Sequence, residues 1–352
     1  MIRYTTRLLA STAMAIALVT LTTNTALADP PVLPAAQDIV GVGANTDQGL
    51  ANQLSIDYNA YLTAKGDTTS PRLYSWDSTG PSPITPKAGP TMIARPNGSN
   101  AGISTLNVTP NLPVNFARSS RGPQFGDLPT DDFVALAKDG VSWAGNATGY
   151  APANLTTADL RAIYTCAITN WDQITDIPAY TAPNATINAY LPRVDSSTRT
   201  FFLKAINNGT SLVPGACVQA ATPEQNEGTD PVFADPSAIT PYSAGHYIGQ
   251  VYGGHSSGSD APGNLTLRSI DGINPIASTH TLNPVYTTTL YGRVLYNVVR
   301  DAEWTGLGAN PALKAIFGNA GWICSSITAQ NDITNSGFQR LPRVACGSVS
   351  HI

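Results

Sequence analysis

The sequence predicts an α/β protein of two lobes, and three observations lead to this prediction. Removal of a predicted leader of 28 residues leaves 324 of the 352 residues, more than one compact core usually holds. Alternating runs are followed by hydroxyl-rich turns and then by apolar residues at helical spacing, as in strand-turn-helix units. Only 12% of the residues are charged, and this composition suits an exported α/β or β-rich protein with long ordered loops.

The first 28 residues have the pattern of a secretory signal peptide. Arg3 and Arg7 precede the apolar run 8–21, and Ala26 and Ala28 are the small residues that signal peptidase reads. The run is too short for a comfortable membrane span, and no cysteine follows the cleavage site to carry a lipid. We therefore expect a secreted protein, extracellular or periplasmic, cleaved near Ala28 and without a lipid anchor.

Four cysteines are present, an even number in a chain of a compartment where disulfides persist. Three connectivities are possible in principle, and spacing favours Cys166–Cys217 with Cys324–Cys346. No pair has the close spacing of a zinc knuckle and the four histidines are scattered, so we expect no structural metal.

The net charge of the chain argues against a nucleic-acid partner. It is −4 overall and −6 without the two leader arginines, and no stretch resembles a basic face. An acidic protein can still bind a small anion when the hydrogen-bond donors are local.

A first candidate site follows a short predicted strand, 37–43, that ends in glycine. Apolar residues recur at helical spacing from Leu50 onward, so the intervening turn lies at a helix N-terminus. A capping Thr or Asp explains this turn equally well, and as a dinucleotide fingerprint it lacks the third glycine. The candidate ligand residues in the turn are Asn45, Thr46 and Asp47.

A second candidate site lies between the predicted strand 186–191 and a helix that we expect to begin near Phe201. Backbone N–H groups and the positive end of the helix dipole would point at a bound anion there, and the side chains add donors without any activating base. A Ser N-cap followed by a solvated arginine is the simpler alternative. The candidate residues are Arg193, Asp195, Ser196, Ser197, Thr198 and Arg199.

A third cluster follows the predicted strand 114–117 and resembles the second. Its candidate residues are Arg118, Ser119 and Ser120, and the polar glycine loop 97–102 adds Ser99. Solvated arginines would explain either cluster alone. Two hydroxyl-arginine clusters at separate strand ends favour an oxyanion site.

The remaining chain contains several further patterns. The extended run 133–143 is predicted to cross between lobes, Thr156 and Asp159 form a capping box, and the alternating run 285–299 suits a returning strand. Leu313 and its apolar neighbours indicate a last helix before the Cys324–Cys346 loop closes the chain.

Residues 254–258 satisfy the GxSxG pattern of a hydrolase nucleophile elbow. An elbow needs a strand before it and a helix directly after it, whereas 259–264 has the composition of a loop. His280 or His351 would have to act as the base, and neither has a persuasive acid partner. A serine hydrolase using Ser256 is therefore the least favoured function.

Taken in order, these stretches resemble the phosphate-binding proteins of ABC importers, within the type II periplasmic-binding-protein family, and especially its secreted actinobacterial-style relatives. Residues 38–46 look like the family's first glycine turn, 97–102 like its GSSGG-type loop and 115–120 like its DFGASD-like segment. Residues 160–172 resemble its helix-and-Trp segment. Ser196 to Arg199 are similar to its SGT(R) cradle, with Arg193 near its ligand arginine.

The resemblance implies mixed sheets and crossover strands that join two α/β lobes, with an oxyanion held between them by residues of the three clusters. Lobe 1 would comprise 29–137 and 286–352, and lobe 2 would comprise 138–285. It further implies a monomer without cofactor or bond chemistry that serves an ABC permease. An extracellular binding or adhesion module that kept the fold without transport is the alternative.

Three departures from the family pattern affect the ligand. Ser120 stands where the family has the aspartate that accepts the proton of monohydrogen phosphate. Asp195 and Ser197 replace glycines, and Asp47 replaces an aromatic residue. Loss of the acceptor would weaken discrimination against sulfate unless Asp195 or Asp47 takes over that role.

Overall fold

The computed structural model describes residues 29–89, 92–108, 114–220 and 224–351, so the predicted signal peptide lies outside the described residues. No helix in these ranges is long and apolar enough to cross a membrane. The helices are α1 (Gln48–Ala64), α2 (Ser99–Asn107), α3 (Thr157–Tyr164), α4 (Ser197–Ala205), α5 (Ala244–Tyr252), α6 (Asp301–Trp304), α7 (Pro311–Phe317), α8 (Trp322–Ser325) and α9 (Ile327–Asn335).

The strands alternate with these helices. They are β1 (Ile39–Gly43), β2 (Leu73–Ser75), β3 (Phe116–Ser119), β4 (Asp131–Asn146), β5 (Asn154–Leu155), β6 (Asn188–Leu191), β7 (Gln219–Ala220), β8 (Ala238–Ser243), β9 (Leu265–Leu267), β10 (Ser269–Ile270), β11 (Gly292–Arg300), β12 (Gln339–Arg340) and β13 (Val349–Ser350). Short 3-10 turns occupy Trp171–Gln173, Pro231–Ala234 and Tyr286–Thr288.

The main sheet is mixed, as predicted, in the order β2-β1-β3-β11-β4-β8-β6-β7. Strand β1 is parallel to β2 and β3, whereas β11 is antiparallel to β3 and β4. On the other side of β4, β8 is antiparallel to β4 and parallel to β6. Because parallel neighbours place their carboxyl ends at one edge, the loops after β1 and β3 lie close together.

Strand β4 takes part in both halves of this sheet. Its first part pairs with β11, β12 and β13, and its last part pairs with β8 and β9. The change of partners lies between Lys138 and Val141, where the Val141 N–H donates to the Tyr291 carbonyl at 2.8 Å. The extended run 133–143 is thus part of one crossover strand.

Two large hydrophobic clusters lie on either side of this crossing. The first packs β1 and α1 against the C-terminal helices and includes Leu54 and Phe317. The second surrounds Trp143, Trp171 and Phe202, which are fully buried. The two-lobed α/β fold is therefore confirmed, and the division at 137/138 and 285/286 remains our proposal.

The predicted capping box at the start of α3 is present. The Thr156 hydroxyl accepts from the Asp159 N–H at 3.0 Å, and the Asp159 carboxylate accepts from the Thr156 N–H at 2.9 Å. Each bond satisfies one N–H group that the first turn leaves without a helical partner.

Three sequence predictions of local structure were wrong. The strand predicted over 285–299 begins only at Gly292, because residues 286–288 form a 3-10 turn. The helix expected near Phe201 begins earlier, at Ser197. Helix α7 is not the last helix, since α8 and α9 follow it near and within the Cys324–Cys346 loop. These two helices are short and carry weak periodicity.

Both disulfides favoured by spacing are present. The Cys166–Cys217 and Cys324–Cys346 pairs have Cα–Cα distances of 5.9 Å and 5.7 Å. Such distances are usual for disulfides. The first bridge ties α3 to the loop after α4, and the second ties α8 to the C-terminal segment.

Candidate functional site

Two helix N-termini meet at a small cavity of about 10 Å³. Helix α2 starts after Gly98, and α4 starts after Ser196, whose hydroxyl accepts from the Arg199 N–H at 3.3 Å. Free N–H groups and the positive ends of both helix dipoles therefore face one volume.

The walls of this cavity, which we call the anion pocket, come from two parts of the chain, 44–120 and 193–225. Loops that follow β1 and β3 or precede α2 supply Ala44, Asn45, Gly98, Ser99 and Ser120. The other wall comprises Arg193, Ser196, Ser197, Thr198, Glu224 and Gln225. Hydrogen-bond donors with one arginine dominate this set, which suits a small oxyanion.

Arg193 reaches across the pocket to the loop before α2. Its Nη2 donates to the backbone and side-chain oxygens of Asn97 at 2.7 Å and 2.8 Å. Gly98 makes this approach possible, since a Cβ there would lie 2.9 Å from Nη2, and its φ of 96° favours glycine. Arg193 thus joins the second sequence cluster to the glycine loop of the third.

Glu224 is the pocket residue that the sequence did not reveal, and it is the one carboxylate among the described lining residues. Its oxygens accept from the side-chain amides of Asn97 at 2.8 Å and Asn45 at 3.0 Å, and lie 3.4 Å from Arg193 Nη1. Residues 127 and 179 positions away in sequence make these hydrogen bonds, so no local pattern could have identified Glu224.

Gln225 is a second lining residue that the sequence did not reveal. Its amide nitrogen donates to Asn45 Oδ1 at 3.0 Å and to the Thr46 hydroxyl at 2.6 Å. The Oε1 of Gln225 and the hydroxyl of Ser197 are buried without a hydrogen-bond partner among the described residues. Unpaired buried polar atoms beside a cavity are positioned to contact a ligand.

Six predicted ligand residues do not line the pocket. The side chain of Asp195 is 60% exposed and pairs with Arg193 Nε at 3.0 Å from outside. Arg199 donates to the Pro192 carbonyl, and Ser119 donates to the Arg121 carbonyl. The remaining three, Thr46, Asp47 and Arg118, are buried beneath the first glycine turn.

Arg118 supports the turn from inside and is fully buried. It donates to the carbonyls of Ala44 and Gly43 and to the Ser75 hydroxyl. Burial raises the pKa of nearby Asp47 to about 6, although the charge of Arg118 opposes this shift. Neither Asp47 nor Asp195 is therefore placed to accept a proton from a ligand in the pocket.

A buried ion pair supports the α4 side of the pocket. Arg293 on β11 contacts Asp139 on β4 at 2.8–2.9 Å and donates to the Thr198 hydroxyl at 3.0 Å. Asp139 also accepts from the Ser243 hydroxyl and the Gly245 N–H. The crossover strand is thus linked directly to a pocket residue.

His246, in α5, links the first glycine turn to the Gly/Ser-rich loop. Its Nδ1 lies 2.7 Å from the Thr46 carbonyl oxygen and its Nε2 lies 2.7 Å from Asp260 Oδ1. Both partners accept hydrogen bonds, so both ring nitrogens must carry protons. Burial disfavours this charge, but the charge and hydrogen bond of Asp260 outweigh burial and raise the pKa of His246 to about 9.

We expect this link to stabilise the fold below about pH 9 and to weaken at higher pH. The pKa of His246 in the folded protein lies above the ordinary histidine value of 6.5, so the contribution is complete below pH 6.5 and is lost as pH rises through about 9. Denaturant unfolding of wild type and His246→Gln between pH 6 and 10 measures this. The stability difference should shrink by about 2–3 kcal/mol over that range, and a pH-independent difference would contradict it.

The GxSxG segment does not form a nucleophile elbow. It follows helix α5, whereas an elbow follows a strand, and the Ser256 hydroxyl donates to the Gln250 carbonyl at 3.0 Å. The nearby His246 has both ring nitrogens engaged by other partners. In the described part of the chain, no group of three or more His, Cys, Asp or Glu residues is arranged to hold a metal ion.

A family model described as "PBP superfamily domain" matches residues 82–315. The chain belongs to this family. A comparison with curated proteins gave no significant match. The membership agrees with the resemblance to periplasmic binding proteins that the sequence motifs carry.

Solved structures with the PBP-superfamily fold include proteins described as phosphate-binding. A "Putative Phosphate ABC Transporter Substrate-Binding Protein with Bound Phosphate" from Clostridium perfringens aligns with a TM-score of 0.58 and 14% identity, over 87% of this chain and 100% of that one. An "ABC-type phosphate transport receptor" from Vibrio cholerae aligns at 0.55 and 18%, with the same coverages. At such identities the likeness establishes the fold alone.

Proposed function

We propose that this member of the PBP superfamily is an exported solute-binding protein that holds phosphate or a related oxyanion in the anion pocket and delivers it to an ABC permease. The observation that carries the proposal is the pocket itself, in which Arg193, serine and threonine hydroxyls and two helix N-termini converge. Such donors bind a desolvated oxyanion through charge-assisted hydrogen bonds.

Four further observations support this proposal. Among the described residues the buried Ser197 hydroxyl has no hydrogen-bond partner, so the pocket wall has a donor to offer. Structures that share the fold belong to proteins described as phosphate receptors or phosphate-binding proteins. The N-terminal sequence has the pattern of an export signal. No nucleophile with an activating base lines the pocket among the described residues, which favours binding over catalysis.

Glu224 restricts which anions we expect the pocket to bind. A carboxylate repels a fully ionised anion, but it accepts a hydrogen bond from a ligand that carries an O–H group. The ligand should therefore bring a donor to this position, as monohydrogen phosphate does and sulfate does not. Glu224 would then perform the acceptor role that the sequence left to Asp195 or Asp47.

Replacement of Glu224 by glutamine should reduce the preference for phosphate over sulfate by about tenfold, because an amide can donate to either anion (about 1.4 kcal/mol). The measurement is titration calorimetry with both anions at pH 7.5. Asp195→Asn is the matched control and should leave the ratio of affinities unchanged. If Asp195→Asn changes the ratio and Glu224→Gln does not, the acceptor is Asp195.

Calorimetric titration of the mature chain with phosphate tests the proposal as a whole. We expect micromolar or tighter binding, and no heat with either phosphate or sulfate would refute it. Growth of a deletion strain on limiting phosphate tests the transport part, since a binding or adhesion module without a transport role would leave growth unchanged.

A further inference from the structure

The anion pocket shares two lining residues with a much larger cavity that a lone oxyanion would leave unused. This polar cleft has a volume of about 640 Å³ and shares Asn45 and Glu224 with the pocket. Ligand pockets for small organic molecules are commonly about 300–1,000 Å³. The oxygen of a bound phosphate that contacts Asn45 and Glu224 would therefore lie next to a space large enough for an organic substituent.

The side chains of the polar cleft restrict what that substituent is. Amides and hydroxyls dominate its walls, among them Gln48, Thr79, Asn226 and Ser257, and the largest apolar side chain is Ile56. Among the described residues that line it there is no lysine or arginine, so a second phosphate or a carboxylate finds no cation. There is likewise no Phe, Tyr or Trp on which a nucleobase would stack.

Hydroxyl groups fit these walls best. The hydroxyls of Thr79 and Ser257 make no side-chain hydrogen bond within the described chain, and they line the cleft from two segments that are distant in sequence. The Glu224 carboxylate can accept a hydrogen bond from a ligand. A hydroxyl group next to the ester oxygen of the ligand donates such a bond as well as a phosphate O–H does. Polyols present several such groups within a short distance.

The GxSxG segment, 254–258, lines this cleft. Gly254 and Gly258 have φ of 73° and 57°, a backbone conformation that favours glycine. Ser256 and Ser257, which lie between these glycines in sequence, line the cleft. These serines are exposed and point to no catalytic base. They form one wall of the cleft opposite α1.

We propose that the site takes a phosphate monoester of a small polyol or monosaccharide, with the phosphate in the anion pocket and the hydroxylated part in the polar cleft. This inference rests on the proposed oxyanion-binding function and names a ligand class for it. Inorganic phosphate would then be a fragment of the ligand that binds more weakly.

Titration calorimetry with four probes tests the ligand class. They are inorganic phosphate, methyl phosphate, glycerol 3-phosphate and glucose 6-phosphate. At least one of the two hydroxylated esters should bind ten times more tightly than inorganic phosphate and methyl phosphate. If phosphate binds and both hydroxylated esters bind equally or more weakly, this inference is wrong while the proposed function stands. If no probe binds, the proposed function fails as well.

Gly49 offers a way to block the cleft without touching the pocket. It lines the cleft on α1, and a Cβ added there meets no atom within 4 Å. Gly49→Leu should weaken the best ester at least tenfold and leave phosphate binding unchanged. Ala60→Leu, at an exposed position on the same helix, is the control and should change neither.

Two results with Gly49→Leu would overturn the inference. Equal losses for ester and phosphate would mean that the cleft contributes nothing specific to the organic part. Unchanged ester binding would place that part elsewhere, such as the cleft of about 370 Å³ that adjoins the pocket at Ser197 and contains Phe201.

Discussion

Arg193→Ala should lower the affinity for phosphate by about 100-fold. A hydrogen bond to a charged group contributes about 1.5–3 kcal/mol, and Arg193 is the cation that lines the anion pocket. Its removal also leaves Glu224 without its nearest positive charge, which further disfavours an anion. Titration calorimetry of the variant and of wild type at the same ionic strength gives the ratio of dissociation constants.

Arg193→Lys separates charge from geometry in the same experiment. Lysine keeps the charge but lacks the planar fork by which Arg193 contacts Asn97, Glu224 and Asp195 through three different nitrogens, so an intermediate loss is expected. Arg199→Ala is the matched control, because Arg199 lies nearby in the first turn of α4 and donates to the Pro192 carbonyl, and it does not line the pocket. A loss for Arg199→Ala as large as that for Arg193→Ala would show that the pocket has been assigned to the wrong arginine.

Asp139→Ala should lower the free energy of unfolding by about 3–5 kcal/mol, because it leaves Arg293 buried and unpaired. The side chains of Asp139 and Arg293 are 0% and 3% exposed, so water cannot replace the lost partner. Denaturant unfolding followed by tryptophan fluorescence measures the change. Phosphate affinity should also fall, since Arg293 positions Thr198.

Two further variants test whether the loss comes from the unpaired charge of Arg293. Asp176→Ala, at an exposed carboxylate, should change stability by less than about 0.5 kcal/mol. Asp139→Ala combined with Arg293→Met removes both charges and should recover a large part of the loss. Failure of the double variant to recover stability would mean that the contacts of Asp139 with Ser243 and Gly245 matter more than the ion pair.

The elements that sequence reasoning identified are those in which periodicity and burial coincide. Strand β1 has five buried residues in succession, and α1 places Leu50, Leu54 and Tyr58 on its buried face. The capping box of α3 was also predictable from the sequence, because its two residues are close in the chain and hydrogen-bond to each other. Helices α8 and α9 were missed because four and nine residues carry little periodicity.

The site was harder to predict because the direction of a side chain is not a property of local sequence. Arg118 and Arg193 stand in similar hydroxyl-rich segments, yet the first is buried under a turn and the second lines the pocket. Glu224 lies in a polar loop without periodicity, and its partners Asn45 and Asn97 are distant in sequence. Only the folded chain distinguishes these cases.

The crossing near Val141 is where the chain would bend if the two proposed lobes close on a ligand. Strand β4 and the segment entering β11 are the two places where the chain passes between the proposed lobes, and they are hydrogen-bonded to each other there. Such a two-strand ribbon bends readily in one direction and resists shear and twist in the others. We therefore expect opening to be a rotation about a single axis. The distance between the two pocket walls would then report the fraction of protein with ligand bound, and a pair of spectroscopic labels on the walls would measure it.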